Sequence, residues 1–331
     1  MSQRVLITGG AGFIGFHLAK HLLKSGYNLH LVDNYARGIH DNEFEMLLAK
    51  PRVTFDIVDL LDQSAVLKLG SRFDAIFHLA AVVGVAHVID RPYSVLRDNI
   101  QMLSNVVSLA NQQKDLTRLL FASTSEVYAG TLKHFQLPIP TPEQTALAIT
   151  ALDQPRTSYM LSKIVGEAMC HQSGVPFTIF RPHNVYGPRM GMAHVVPEQL
   201  KNAWVAEEGD SLPVYSATHK RTFCYIDDAV VMLQKMLETD RCCMEVFNVG
   251  TQSPEVTIRE VVQACIDVTG KHLLMTELPP SPGSPERRAP DMSSTRSVLN
   301  YESRIELAEG ILRTWTWYRH NVFDVEGQTA R

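Results

Sequence analysis

Thr8-Gly9-Gly10-Ala11-Gly12-Phe13-Ile14-Gly15 stands directly behind the apolar run Val5-Leu6-Ile7. It leads into Ile14, Leu18 and Leu22, with Ala19 and Leu23, whose spacing lays one apolar stripe along a helix. Strand, glycine turn and helix in that order make a junction suited to a dinucleotide. In Gly10-x-Gly12-x-x-Gly15 the glycines provide a tight turn, close backbone approach to a pyrophosphate and close packing of helix on sheet, with the positive helix end facing the phosphates. A glycine turn of purely structural use is the alternative, and the position at the first strand-to-helix junction argues against it.

Outward from this turn, short β-branched runs recur at Leu29 to Val32, Val53 to Ile57, Ala75 to Leu79 and Arg118 to Ala122, and read as buried strands. Helical patterns alternate with them, which predicts an α/β fold with a Rossmann-type, doubly wound parallel sheet. A helix over Ser158 to Gln172 and a strand over Phe177 to Phe180 are expected to complete that sheet. Beyond Pro188 regularity weakens, and Pro279 to Pro290 reads as a long loop. The division expected is a dinucleotide-binding domain at 1–182, carrying the catalytic residues, and a smaller substrate-binding lobe at 183–331, with segments free to interleave.

The bulk numbers narrow the function. A chain of 331 residues with 45% hydrophobic and 20% charged residues buries a sizeable core. A net charge of −4 offers no general attraction to nucleic acid or anionic lipid, so any anion must be held by a local basic site. Met1-Ser2-Gln3-Arg4 passes straight into the first strand and no run approaches bilayer length, so no membrane segment is expected and the cytoplasm is the expected compartment. Cys170, Cys224, Cys242, Cys243 and Cys265 form no Cys-x-x-Cys pair and read as reduced packing residues, with no metal site expected.

The second strand ends at Asp33, the distance downstream at which a carboxylate meets the adenosine ribose hydroxyls, and this favours NAD over a 2′-phosphorylated cofactor. Arg37 lies close enough to leave NADP open, or is a solvated loop arginine. Asp59, after the third strand, either meets adenine or caps a helix.

Ser158-Tyr159-Met160-Leu161-Ser162-Lys163 holds the reactive pattern. Tyr-x-x-x-Lys on a helix puts both side chains on one face, where the ammonium, helped by a cationic nicotinamide, is expected to bring the phenol down from a pKa of about 10 toward neutrality. The phenolate is then a general base. An amphipathic surface pair is the other reading, and the strand-borne Ala122-Ser123-Thr124-Ser125-Glu126-Val127-Tyr128 upstream makes it the weaker one.

With these residues in view the chain resembles the extended short-chain dehydrogenases, the nucleotide-sugar epimerases and dehydratases, over nearly its whole length. The glycine turn, His78-Leu79-Ala80-Ala81, Asp98-Asn99-Ile100, Arg181-Pro182-His183-Asn184-Val185-Tyr186-Gly187-Pro188 and Arg221-Thr222-Phe223-Cys224-Tyr225-Ile226-Asp227-Asp228 all fit the family pattern. The resemblance implies NAD held by Gly9, Gly12, Phe13, Ile14 and Gly15, by Asp33 and Asn34, and by Asp59 and Leu60. Leu79, Ala80, Ala81, Asn99, Ser123, Tyr159, Lys163 and Pro182 would complete that site. It implies a catalytic set of Thr124, Tyr159, Lys163 and Glu126: Thr124 bonds the reacting sugar hydroxyl, Tyr159 removes its proton, and Lys163 holds the nicotinamide ribose. The substrate implied is a nucleotide-diphosphate sugar, a UDP-sugar favoured, against Val85, Thr124, Ser125, Glu126, His183, Asn184, His194 and Val195. Arg221 and Arg288 would neutralise the diphosphate. His183 is equally readable as a buried, satisfied histidine, and His194 stands where family members often place another polar group. A homodimer through helices around Ser94 to Gln113 and Ser158 to Gln172 is also implied.

Members of this family share oxidation at sugar carbon 4 and differ in the fate of the keto sugar. Epimerisation needs only Thr124, Tyr159 and Lys163 and is placed first. Thr124-Ser125-Glu126 and Pro155-Arg156 resemble UDP-glucuronate decarboxylases, whereas Gly191-Met192-Ala193-His194 departs from them. A dehydratase usually has Asp where Ser125 stands. A net dehydrogenase that releases its reduced cofactor stays open, and a non-catalytic NAD-binding sensor is disfavoured because Tyr159 and Lys163 are both present.

Overall fold

The computed structural model describes residues 3–280 and 284–325, the side chains of Val85 and Ala86 excepted. Six strands lie within residues 4–182: β1 (Arg4–Thr8), β2 (Asn28–Asp33), β3 (Val53–Ile57), β4 (Ala75–His78), β5 (Arg118–Ala122) and β6 (Phe177–Pro182). They lie in the order β6-β5-β4-β1-β2-β3, every pair parallel. The order reverses between β1 and β4, and the crevice beyond the carboxyl ends of those two strands is where ligands of open α/β sheets bind.

Strand alternation divides the core. Val5 and Ile7 join Leu29, Leu31 and Phe77 on one face, and Leu6, Val32 and Ile76 join Met102, Val106 and Leu109 on the other. The helices covering these faces are α1 (Phe13–Lys24), α2 (Asn42–Leu48), α3 (Gln63–Leu67), α4 (Val85–Asp90), α5 (Pro92–Asn111), α6 (Ala129–His134) and α7 (Pro155–Gln172). Helix α7 starts three residues before the expected Ser158, because Pro155 fits a first helical turn, where its missing N–H is no loss.

The sheet does not end at β6. A seventh strand, Glu245–Val249, pairs with β6 in parallel, Phe247 opposite Phe180. Of the later helices α8 (Val195–Val205) and α9 (Ile226–Glu238), α9 packs against α1. The chain beyond β6 therefore returns a strand and a helix to the first layer, and residue 182 marks no break in the core. The lobe proper is built from α8, the parallel pair Ser211–Tyr215 with Leu274–Leu278, and a small sheet in which Lys220–Arg221 lies between Val256–Thr257 and Arg287–Arg288. Of the expected loop Pro279 to Pro290, residues 281–283 lie outside the described residues, and Arg287–Arg288 forms a strand. Among the described residues no helix is long and apolar enough to cross a membrane.

Candidate active site

At the end of β1 the backbone itself makes a cradle. Gly9 adopts φ +72°, and a Cβ there would stand 2.9 Å from the Ala80 nitrogen. A side chain at Gly15 would run into the Gly9 carbonyl, so both positions admit only glycine. Gly12 caps α1 without a side-chain bond, and no acidic residue occupies the first helical turn, so the N–H groups there stay available to an anion. Phe13 and Ile14 are half-buried in that turn. A dinucleotide diphosphate fits this cradle, because it needs backbone donors and no side-chain volume.

Asp33 ends β2 beside the glycine turn. Its buried carboxylate accepts from Ala11 N at 3.1 Å and Tyr35 N at 2.8 Å. Burial pushes its pKa up, against these N–H groups and that of Asn34. Asn34 is exposed and spends its Oδ1 on Ala36 N at 3.0 Å. Asp59 is exposed and accepts from Leu61 N at 3.0 Å; the helix cap, one of its two readings from sequence, is taken by Asp62, and Leu60 is buried behind it. Leu79, Ala80 and Ala81 lie half-buried along the crevice after β4.

Several expected contact residues work through neighbours. Asn99 accepts from Val82 N at 2.7 Å and donates to Val82 O at 3.1 Å and Ser162 Oγ at 3.2 Å, pinning the post-β4 loop to the catalytic helix. Ser123 donates to Glu167 at 2.5 Å. Pro182 ends β6 opposite Val249, and His78 bonds Thr8 at 2.9 Å with its pKa pushed down to about 3 by burial.

Tyr159 and Lys163 come together on α7 as their spacing requires. The Lys163 ammonium is 4% exposed, donates to Ala122 O at 2.8 Å and sits 5.9 Å from the Tyr159 ring centre. Burial pushes Lys163 down to about 8. The protein's groups alone do not produce the lowering of Tyr159 expected beside a cationic nicotinamide: burial pushes the phenol up to about 12, against a hydrogen bond with Thr124 and the charge of Arg37. The protein's own groups do not bring this phenol toward neutrality, because desolvation outweighs them.

Thr124 caps a short helical turn at Ser125–Tyr128, accepting from Glu126 N at 3.2 Å. The Glu126 carboxylate meets Arg288 at 2.8 Å, and the same guanidinium reaches Ser125 Oγ at 3.4 Å. Arg288 beside it holds Glu126 below the usual carboxylate range, with Arg156 and Arg221 adding to the effect. Arg221 and Arg288 are register partners on adjacent strands. Arg221 donates to Lys220 O, Ser284 Oγ and Pro285 O at 2.7, 3.1 and 2.5 Å, and burial followed by Arg288 lowers it to about 10. Two like charges directly opposite repel, and Glu126 offsets part of that repulsion at Arg288. Arg287, by contrast, is tied at the surface to Glu255.

Asn184 holds φ +43° and donates to Thr222 O at 2.9 Å. His183 is 1% exposed, bonds Asn248 Oδ1 at 3.0 Å through Nε2, and is pushed down to about 3 by burial. It is the buried, satisfied alternative on that nitrogen, while its Nδ1 has no partner among the described residues. His194 is exposed at the start of α8, and Val195 half-buried beside it. Val85 opens α4, its side chain outside the described residues.

One group was not legible as functional from sequence. Arg181 holds Glu167 through two bonds of 2.8 and 2.6 Å and donates to Tyr128 OH at 2.7 Å. Tyr128 and His183 share Asn248 Oδ1, and Asn248 N donates to Glu143 at 2.8 Å. This buried network ties α7, β6, the Thr124 turn and the seventh strand together. Glu167, one helical turn beyond Lys163 on the same face, was the available signal.

Comparison with known proteins places this architecture. The model described as the NAD dependent epimerase/dehydratase family matches residues 5–250. A UDP-N-acetyl-alpha-D-glucosaminuronate decarboxylase of Bacillus cytotoxicus is 30% identical over 332 aligned residues, covering 96% of this chain and 98% of that one. A UDP-glucose 4-epimerase of Thermotoga maritima, solved with UDP-glucose, superposes with a TM-score of 0.83 at 25% identity over 97% of this chain and 100% of its own. A UDP-glucuronic acid 4-epimerase of Bacillus cereus, solved with UDP-glucuronic acid and NAD, gives 0.80 at 26% identity over 96% and 99%.

Proposed function

The chain belongs to the NAD-dependent epimerase/dehydratase family, and from that premise we propose that it decarboxylates the uronic acid of a UDP-linked sugar through a 4-keto intermediate. The observation that carries this reading is the Glu126–Arg288 ion pair at 2.8 Å, which sets a second titratable carboxyl beside the Thr124–Tyr159 hydrogen bond that oxidation at carbon 4 alone does not require. The Bacillus cytotoxicus decarboxylase supports it across nearly the full chain, and the Bacillus cereus structure supports a uronate substrate.

NAD, when bound, supplies the reversible two-electron oxidation of sugar carbon 4 and a positive charge beside Tyr159. Asp33, the Gly9–Gly15 cradle and Lys163 would hold it. Thr124 bonds the 4-hydroxyl and Tyr159 takes its proton. With carbon 4 a ketone, the carbon 6 carboxylate lies β to it. The carbon 5–carbon 6 bond then breaks, its electron pair passes into the ketone as an enolate, and carbon dioxide leaves. Carbon 5 next needs a proton. Glu126 is ionised while Arg288 faces it; a sugar nucleotide whose diphosphate draws Arg288 away raises the Glu126 pKa, so that the carboxylate takes a proton from solvent and delivers it to carbon 5. The two electrons return to carbon 4 and Tyr159 returns its proton. Arg221 and Arg288 take the diphosphate, and Asn184, Ser125 and His194 border the sugar.

Epimerisation at carbon 4, placed first on sequence, is the second reading. It is favoured by the solved UDP-glucose 4-epimerase of Thermotoga maritima, which superposes over 97% of this chain. The full reading includes a cytoplasmic homodimer whose contact face is α5 with the start of α7, where Tyr93 and Leu152 are 71% and 75% exposed.

The test is mass spectrometry and proton NMR of the protein incubated with UDP-glucuronate and NAD. Loss of carbon dioxide is expected, and Glu126→Gln should slow it about 100-fold while oxidation at carbon 4 survives. An unchanged mass with inverted carbon 4 would replace this reading with the second.

A further inference from the structure

Arg37 does not stand where a 2′-phosphate would need it. Segment 33–39 lies flat on the glycine turn: a Cβ at Gly38 would be 2.7 Å from Ala11 Cβ and 2.9 Å from Asp33 Oδ1, and Ile39 N bonds Ala11 O at 3.1 Å. From this anchor the Arg37 side chain leaves the Asp33 carboxylate and crosses the crevice. Its Nη1 donates to Val83 O at 2.8 Å. A Cβ at Gly84 would stand 3.9 Å from one of its guanidinium nitrogens, and a Cβ at Gly191 3.8 Å from the other. Its charge acts on Tyr159 and on His194.

Asp33 marks the adenosine ribose end of the dinucleotide, and Tyr159 with Lys163 marks the nicotinamide end. The diphosphate must lie between them, over the start of α1. Arg37 runs between the same two landmarks, its guanidinium held at the post-β4 loop by Val83 O and near Gly84 and Gly191. Val83 O accepts the one hydrogen bond it makes among the described residues, which leaves further donors of a planar, permanently charged group for phosphate oxygens.

We propose that Arg37 is a latch over the cofactor diphosphate, bridging it to the loops at Val83–Gly84 and Gly191–His194, so that NAD is retained through turnover. The purpose rests on the proposed redox-neutral reaction, in which a cofactor lost midway would strand a keto sugar. The contact itself is independent of which sugar is used, so its failure is distinguishable from failure of that reading.

The experiment compares wild type, Arg37→Ala and Arg37→Lys without substrate. NAD content after gel filtration is measured by absorbance of the released cofactor, and affinities for NAD, ADP-ribose and adenosine by calorimetry. Arg37→Ala should purify depleted of NAD and bind NAD and ADP-ribose about 10- to 100-fold more weakly, with adenosine affinity unchanged. Arg37→Lys should fall between, since it keeps the charge and loses the fork. Unchanged NAD and ADP-ribose affinities in both variants, with melting temperatures as in wild type, would overturn the proposal, as would an equal loss for adenosine.

Discussion

The dinucleotide cradle and the sugar-nucleotide cleft share one crevice but are made of different material. The cradle is backbone: Gly9, Gly12 and Gly15 are shaped by what they lack, and Asp33 is the one carboxylate that finishes it. The cleft is charge: Arg221 and Arg288 oppose each other on paired strands, and Glu126 answers Arg288. Backbone recognition is rigid and indifferent to what the sugar carries. Charged side chains are adjustable, and carry the repulsion that an arriving anion relieves. On the proposed reading, the cofactor is held by the first material and the sugar nucleotide by the second.

Four experiments break or sharpen that contrast. Tyr159→Phe removes the one proton-transfer group that serves both regions, and turnover should fall about 10²- to 10⁴-fold while NAD affinity is unchanged, as read by steady-state rates beside calorimetry. Near-normal turnover would reject Tyr159 as the base. Glu167→Ala leaves Arg181 buried without its bidentate partner, and denaturant unfolding should show a loss of about 3–5 kcal/mol. A neutral result would mean the network does not join the two regions.

Arg288→Met should weaken nucleotide-sugar binding about 10- to 100-fold and leave NAD affinity unchanged, separating the two materials directly. Equal losses for both ligands would show that the regions are not independent. The smallest effect expected over the range from pH 7 to 6 is on stability. Burial holds His78 and His183 neutral in the fold, down to about 3, against about 6.5 in the unfolded chain. As pH falls below 6.5 the unfolded chain takes up protons first, so stability is full above that value and is lost progressively toward pH 3. Melting temperature should drop between pH 7.5 and 5, and His183→Asn should flatten the drop.

Where sequence and structure agree, local pattern is the reason. The first six strands fall within a residue or two of their apolar runs, because a strand buried on both faces leaves a continuous signature, and the edge strand β3 keeps Val53 and Phe55 for the core. The seventh did not announce itself: Glu245–Val249 begins with an exposed glutamate, carries a polar Asn248, and only its pairing with β6 makes it part of the sheet. The same holds for Asn99. The partners of its amide, Val82 and Ser162, come from separate elements that only the fold brings to it.

The sequence by itself determined the glycine cradle, the Asp33 terminus, the Tyr159–Lys163 pair and the family, since each depends on residues a few positions apart on one strand, turn or helix. Only the tertiary structure decided that Glu126 faces an arginine from the far end of the chain, Arg288, that Arg37 turns from Asp33 to Val83, and that Tyr159 is held high by burial. Those outcomes depend on which groups are brought together and how much water is removed around them, and neither quantity is written in local spacing.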